Sequence, residues 1–186
     1  MLFAIWGNTN TRYAQNEKAK EPEPFCKYTV WRNEKVNAEA VLWAKTNLSN
    51  VTLTMSDLVG DEDVIESSAA TISFMGYVIG DIVNKNWYGD CACREIGQYP
   101  TILVADRLDK DPSVNITANN TQPVWVSVKV PKGTKAGVYK GTVDVNADGM
   151  ETLSLPVWLK VADYDLPDPK DWKFFLDIHT DSYELG

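Results

Sequence analysis

The sequence predicts an all-β protein, an antiparallel β-sandwich of the Ig-like or jelly-roll-like kind. Apolar residues recur with period two in several separate windows. Those windows are divided by turn residues rather than by capped stretches. No window of a dozen residues shows an i, i+3, i+4, i+7 apolar stripe bounded by helix caps.

Each strand has its own signal. Over 36–46, Val36, Ala38, Ala40, Leu42 and Ala44 are in phase, and over 51–56 Val51, Leu53 and Met55 alternate with Thr52, Thr54 and Ser56. Residues 71–83 are apolar on both faces and rich in β-branched and aromatic types, which marks a central strand. A short strand is expected at 101–105. Val124, Val126, Val128 and Val130 share one face of 123–130, which Pro131 ends because it cannot donate to a ladder. Residues 138–145 form the next strand. Asn146-Ala147-Asp148-Gly149 reads as a hairpin turn with Gly149 free to take positive φ. In 152–161, Leu153, Leu155, Val157, Leu159 and Val161 line one face. About seven or eight strands spaced by turns make a sandwich.

A chain of 186 residues, 44% hydrophobic and 24% charged, fits one domain or one domain plus a fragment of a second. At that size roughly 70% of the unfolded surface is buried, enough for a core without staples. The net charge is −8, which repels a phosphate backbone and an anionic membrane surface alike. No apolar run approaches the ~20 residues of a membrane span. The apolar opening Met1 to Trp6 stops at Gly7-Asn8, has no basic n-region and is shorter than a signal-peptide core. Either the chain is cytosolic, or a signal was removed and Met1 added. Cys91 and Cys93 stand two apart and Cys26 is remote, too few ligands for a structural zinc site. No metal and no cofactor is expected.

The last stretch changes character. Leu166-Pro167-Asp168-Pro169 forces an extended connector, and Lys173 to Ile178 then starts a new apolar strand. A linker followed by one orphan strand reads as a chain cut at the entrance to a second domain. The alternative is a final edge strand of the same sandwich. The expected division is 1–165 for the sandwich and 166–186 for the linker and the first strand of that second domain.

Three segments point the same way: Trp31-Arg32-Asn33-Glu34-Lys35-Val36, the run Pro131-x-Gly133-x-x-x-Gly137-x-Tyr139-x-Gly141, and Leu166-Pro167-Asp168-Pro169 leading into Phe174-Phe175-Leu176-Asp177-Ile178. In this order they resemble the N-terminal region of glycoside hydrolase family 123, the β-N-acetylgalactosaminidases. The glycine-rich run is common in bacterial sandwich domains, whereas the first and third segments are more specific. The resemblance implies an accessory sandwich in front of a missing (β/α)8 catalytic barrel. That barrel would act by substrate-assisted hydrolysis with an Asp-Glu pair lying well past Gly186. It implies an exported protein (periplasmic, cell-surface or secreted) whose partners are its own barrel and a glycan substrate. On this reading the present chain carries no catalytic residues. Two departures stand out. Asn33 occupies a position where the family usually has Gly, which a left-handed turn tolerates. His179-Thr180-Asp181 replaces an expected Trp-Gln-rich continuation, which points to a divergent branch.

Asp61-Glu62 is the only adjacent Asp-Glu pair, but it sits in Gly60-Asp61-Glu62-Asp63 and reads as a solvated turn rather than as a general acid. Asp106, Asp109 and Asp111 lack the spacing of a calcium loop and also read as a solvated turn. His179, the only histidine, has no placed nucleophile as partner. Asp177, on the final strand, would line a sugar site or stabilise the barrel under the family reading. Four N-x-S/T sequons, at Asn47, Asn50, Asn115 and Asn119, carry glycans only in a eukaryotic secretory setting.

The tryptophans are the best functional hint that the residues themselves give. Of seven, Trp43, Trp125 and Trp158 fall out of phase with the apolar face of their own strands and keep company with Glu39, Ser127, Lys129 and Lys160. Exposed indole is costly, so the second sheet, the missing barrel or a stacked sugar ring is expected to cover each. Against the accessory-domain reading stand a free-standing carbohydrate-binding module and a purely structural spacer.

Overall fold

The computed structural model describes residues 1–19, 26–80 and 102–173. These hold β1 (Leu2–Trp6), β2 (Cys26–Arg32), β3 (Lys35–Ala44), β4 (Leu48–Met55), β5 (Leu58–Val59), β6 (Val64–Ile65), β7 (Ala70–Gly80), β8 (Ile102–Leu108), β9 (Val114–Ile116), β10 (Thr121–Lys129), β11 (Gly137–Asn146) and β12 (Leu153–Asp165). One sheet runs β1-β3-β10-β7-β8. The other runs β2-β12-β11-β4-β9, with the short β5 on β11 and β6 on β5. Among the described residues there is no α-helix, only two single 3-10 turns.

Period two decides which residues face the interior between the sheets. On β3, Ala38, Ala40, Leu42 and Ala44 face inward, and on β10 Val124, Val126 and Val128 do the same. Leu155, Val157, Leu159 and Val161 of β12 meet them from the second sheet within one core cluster. Trp6 lies opposite Ala40 in register. Its indole donates to the Pro156 carbonyl of β12 at 2.8 Å and so ties the sheets together.

The strands expected at 36–46, 51–56, 123–130, 138–145 and 152–161 are β3, β4, β10, β11 and β12. β7 is interior, between β10 and β8, as its two apolar faces require; residues 81–83 of that expectation lie outside the described residues. β8 runs on to Leu108, so Asp106 stands on a strand rather than in a turn. Among the described residues the strand pairs are antiparallel with one exception. β2 pairs β12 in parallel, which no hairpin could do and which the long separation of the two strands permits. Gly133 and Gly149 take φ values of 82° and 71°, and Asn33 takes 61°.

Candidate functional site

Two crossovers between the sheets lie side by side at one end of the sandwich. β2 passes to β3 through Asn33, and β10 passes to β11 after Pro131. The Asn33 amide donates to the Val130 carbonyl and the Val130 amide to the Glu34 carbonyl, both at 2.9 Å. Lys129 Nζ donates to the Asn33 carbonyl at 2.6 Å. β12 ends at this same place, and the chain beyond it is laid across both crossovers. The Leu166 amide donates to the Arg32 carbonyl at 2.9 Å. Asn33 Nδ2 donates to the Leu166 carbonyl at 2.8 Å and to Asp168 Oδ1 at 2.9 Å. Lys132 Nζ takes the other Asp168 oxygen at 2.7 Å. Arg32 reaches Asp165 and Asp163, each at 2.9 Å.

Lys132 first, and Asn33 second, hold the Asp168 carboxyl below the usual carboxylate range. Asp168 in turn holds the Lys132 ammonium above its ordinary value. Each exposed pair contributes little alone, but here they share partners with backbone bonds and act as a network. Trp172 Nε1 donates to the Pro167 carbonyl at 3.0 Å, closing the connector on itself around the Pro169–Asp171 turn. Residues 165–172 are thus held against the sandwich and against themselves.

Trp43, Trp125 and Trp158 all point away from the interface between the sheets, so the second sheet does not cover them. Trp43 and Phe3 face one another across β3 and β1, with centroids 6.0 Å apart. Lys18 Nζ lies 4.6 Å from the Phe3 ring and 5.4 Å from that of Trp43. Trp125 is half-buried between Glu39 and Ser73 in register. Trp158 lies on the outer face of the second sheet, between Lys140 and Lys27 in register. Asp177, His179, Cys91 and Cys93 lie outside the described residues.

The outer face of the first sheet holds a group that alternation marks only as a companion of Trp43. Glu39 is 1% exposed, and its Oε1 has no hydrogen-bond partner. Burial pushes its pKa up to about 7. The 8–19 segment bonds to β8 and to the start of β10 in the same sheet. Ala105 donates to the Tyr13 carbonyl at 3.2 Å and Thr121 to the Gln15 carbonyl at 2.8 Å. Tyr77 donates its hydroxyl to the Thr121 carbonyl. Its phenol is pushed up first by burial and then by the charge of Glu39. The legible signal was a charged residue inside the run Ala38-Glu39-Ala40-Val41-Leu42.

The remaining candidates are structural. Asp61 and Glu62 lie in the β5–β6 turn, where Gly60 donates to the Asp63 carbonyl and Lys135 pairs exposed Glu62, both at 2.9 Å. The backbone amides of Lys135 and Val64 hold Asp63 below the carboxylate range, the reverse of a general acid. Asp106 pairs Arg12 and Asp109 pairs Arg107, each at 3.0 Å. Among the described residues no three His, Cys, Asp or Glu side chains gather to hold a metal ion. Sequon asparagines serve the loops: Asn47 Oδ1 accepts from Ala118 at 2.8 Å, and Asn115 Oδ1 accepts from the Asn50 amide at 2.9 Å. No described helix is long and apolar enough to cross a membrane.

Residues 6–147 match the family model described as the glycoside hydrolase 123 N-terminal domain. The chain is also similar to a family 123 glycoside hydrolase from Clostridium perfringens, studied for glycolipid glycan hydrolysis. The TM-score is 0.78 and the identity 25%, over 92% of this chain and 29% of that one. The chain thus spans less than a third of that relative's length. A looser likeness, to AvmM of alchivemycin A biosynthesis, has TM-score 0.41 and 5% identity over 90% of this chain and 92% of that one, and carries no argument. No curated protein matches the sequence.

Proposed function

Because the chain belongs to the glycoside hydrolase 123 N-terminal domain family, we propose that it is the non-catalytic accessory domain of an exported glycosidase acting on N-acetylhexosaminide glycans of the β-GalNAc type. The sandwich occupies 1–165. Residues 166–186 lead into a (β/α)8 barrel, on which the sandwich packs and which it supports.

The observation that carries this reading is the clamp at the end of β12. A spacer between independent modules is served by a loose linker. Here Arg32, Asn33 and Lys132 hold Asp163, Asp165, Leu166 and Asp168, so the chain leaves along one set path. A fixed exit serves a neighbouring domain that must dock in one orientation.

The test compares the 186-residue chain with the natural gene product on a chromogenic N-acetyl-β-galactosaminide. The expected result is turnover by the full product and none by the 186-residue chain above a boiled control. Turnover by the short chain, or a natural product that ends with this domain, overturns the reading.

A further inference from the structure

On the outer face of the second sheet, one row runs Val59, Lys140, Trp158, Lys27 across β5, β11, β12 and β2. Lys140 Nζ lies 4.9 Å from the Trp158 ring centroid and Lys27 Nζ 6.0 Å, so two ammonium groups are drawn to one indole. Lys160 stands two residues along β12, opposite Val138. These side chains line an open groove of about 640 Å³, within the usual range for a small-ligand site. Val59 and Val138 are 56% and 44% exposed and give the groove apolar walls. Among the described residues none of the three lysines is in an ion pair. The one acidic side chain lining the groove is Asp61.

A local excess of cations on a chain of net charge −8 selects by size and charge. A polyanion is repelled by the molecule as a whole, whereas a small anion feels mainly the nearby lysines, because salt screens beyond about 8 Å. A cation over a part-exposed indole gains only modestly, so either lysine can turn toward a better partner. Two like charges beside one ring also repel until an anion lies between them.

We propose that this groove binds a sugar of low charge, one acidic group beside a pyranose ring. The ring's C–H face stacks on Trp158, and its carboxylate or sulfate lies between Lys27 and Lys140, with Lys160 at the rim. The choice of a sugar rests on the glycosidase reading above; the need for one negative charge rests on the lysines alone.

Titration of the 186-residue chain by NMR and calorimetry, at low salt, tests this without calling on catalysis. The probes are sialyllactose for the carboxylate, a monosulfated galactoside for the sulfate, and lactose as the neutral control. At least one acidic probe is expected to bind with millimolar Kd, about tenfold tighter than lactose, and to shift the Trp158 indole resonance. Raised salt weakens that binding. The variant Lys27→Met with Lys140→Met, whose substitutions are at exposed positions, keeps the fold and loses about tenfold in affinity. Equal binding of lactose and both acidic probes, unchanged affinity in that variant, or no binding by any probe overturns the proposal. None of these three outcomes bears on whether the natural product hydrolyses N-acetylgalactosaminides.

Discussion

Asn33 Nδ2 donates to the carbonyl of Leu166, 133 positions along the chain, at 2.8 Å, from a residue whose φ is 61°. One residue thus makes the left-handed turn between the sheets and holds the segment that follows β12. Glycine would meet the first demand at least as well, but it has no amide for the second. Asn33→Gly should therefore leave the turn intact, cost about 1–2 kcal/mol through the lost bonds, and release the connector. Asn33→Ala should cost about 1–2 kcal/mol more, because alanine must adopt the left-handed conformation. Thermal unfolding measures the cost, and limited proteolysis after Leu166 measures the release. Unchanged proteolysis in the glycine variant would show that the amide does not hold the connector.

Glu39 makes stability depend on pH with an unusual sign. Its folded pKa of about 7 lies above the unfolded value of 4.5, so the folded state keeps a proton that the unfolded state gives up. The protonated group's advantage is full below pH 4.5 and is lost as pH rises through about 7. Glu39→Gln keeps the shape without the charge. It should raise stability at pH 8 by about 1–3 kcal/mol and flatten the fall across the neutral range. Urea unfolding at a series of pH values decides it. Equal slopes in the two proteins would place the titration elsewhere.

The legible parts of the fold were those with a strict period over a long window. β12 buries alternate residues from Leu155 to Val161, β10 carries Val124, Val126 and Val128 on one face, and their turns carry Pro131 and Gly149 at the positions that need them. The strands read least well were short or at sheet edges. β5 and β6 have two residues each, too few for a period, and β1 is cut off by Gly7-Asn8 after five. The parallel partner of β12 was not legible, because pairing between distant strands leaves no local mark. Of the site, the outward phase of Trp43, Trp125 and Trp158 was readable from alternation alone. The lysines beside Trp158 were not readable as a group, because Lys27, Lys140 and Lys160 meet only through the register of three strands. Asn33 is legible as a turn former. Its bond to Leu166 depends on where β12 ends.

Gly60 is required by a neighbour rather than by its dihedrals. A Cβ there would meet the Tyr139 ring at 2.9 Å. Tyr139 has little room to retreat, being 2% exposed with its hydroxyl donating to the Lys135 carbonyl at 2.8 Å. Gly60→Ala should cost about 1–3 kcal/mol by overpacking, and Gly60→Ala with Tyr139→Phe should recover little, since the ring rather than the hydroxyl makes the clash. Chemical denaturation of both variants reads the outcome. Full recovery in the double variant would locate the strain at the hydroxyl instead.

Acid should loosen the connector before it unfolds the sandwich. Lys132 and Asn33 hold the Asp168 carboxyl below its usual range, so the ionised form is favoured in the folded state. That contribution is present above the unfolded value of about 4 and is lost as pH falls through the lower folded value. Lys132 has the opposite dependence, since its raised folded pKa keeps it charged until pH rises well above neutrality. The Asn33 side-chain amide touches Asp168 at 2.9 Å and reports its state directly. Its NMR resonances should titrate with a midpoint below about 4, the folded value lying under the ordinary one. In Asp168→Asn they should stay fixed across the same range, with the connector released at neutral pH as it is in acid. A midpoint at or above the ordinary carboxylate value would mean that Lys132 does not hold Asp168 in solution, and the segment after β12 would then rest on Arg32 and on the bond from Asn33 to Leu166.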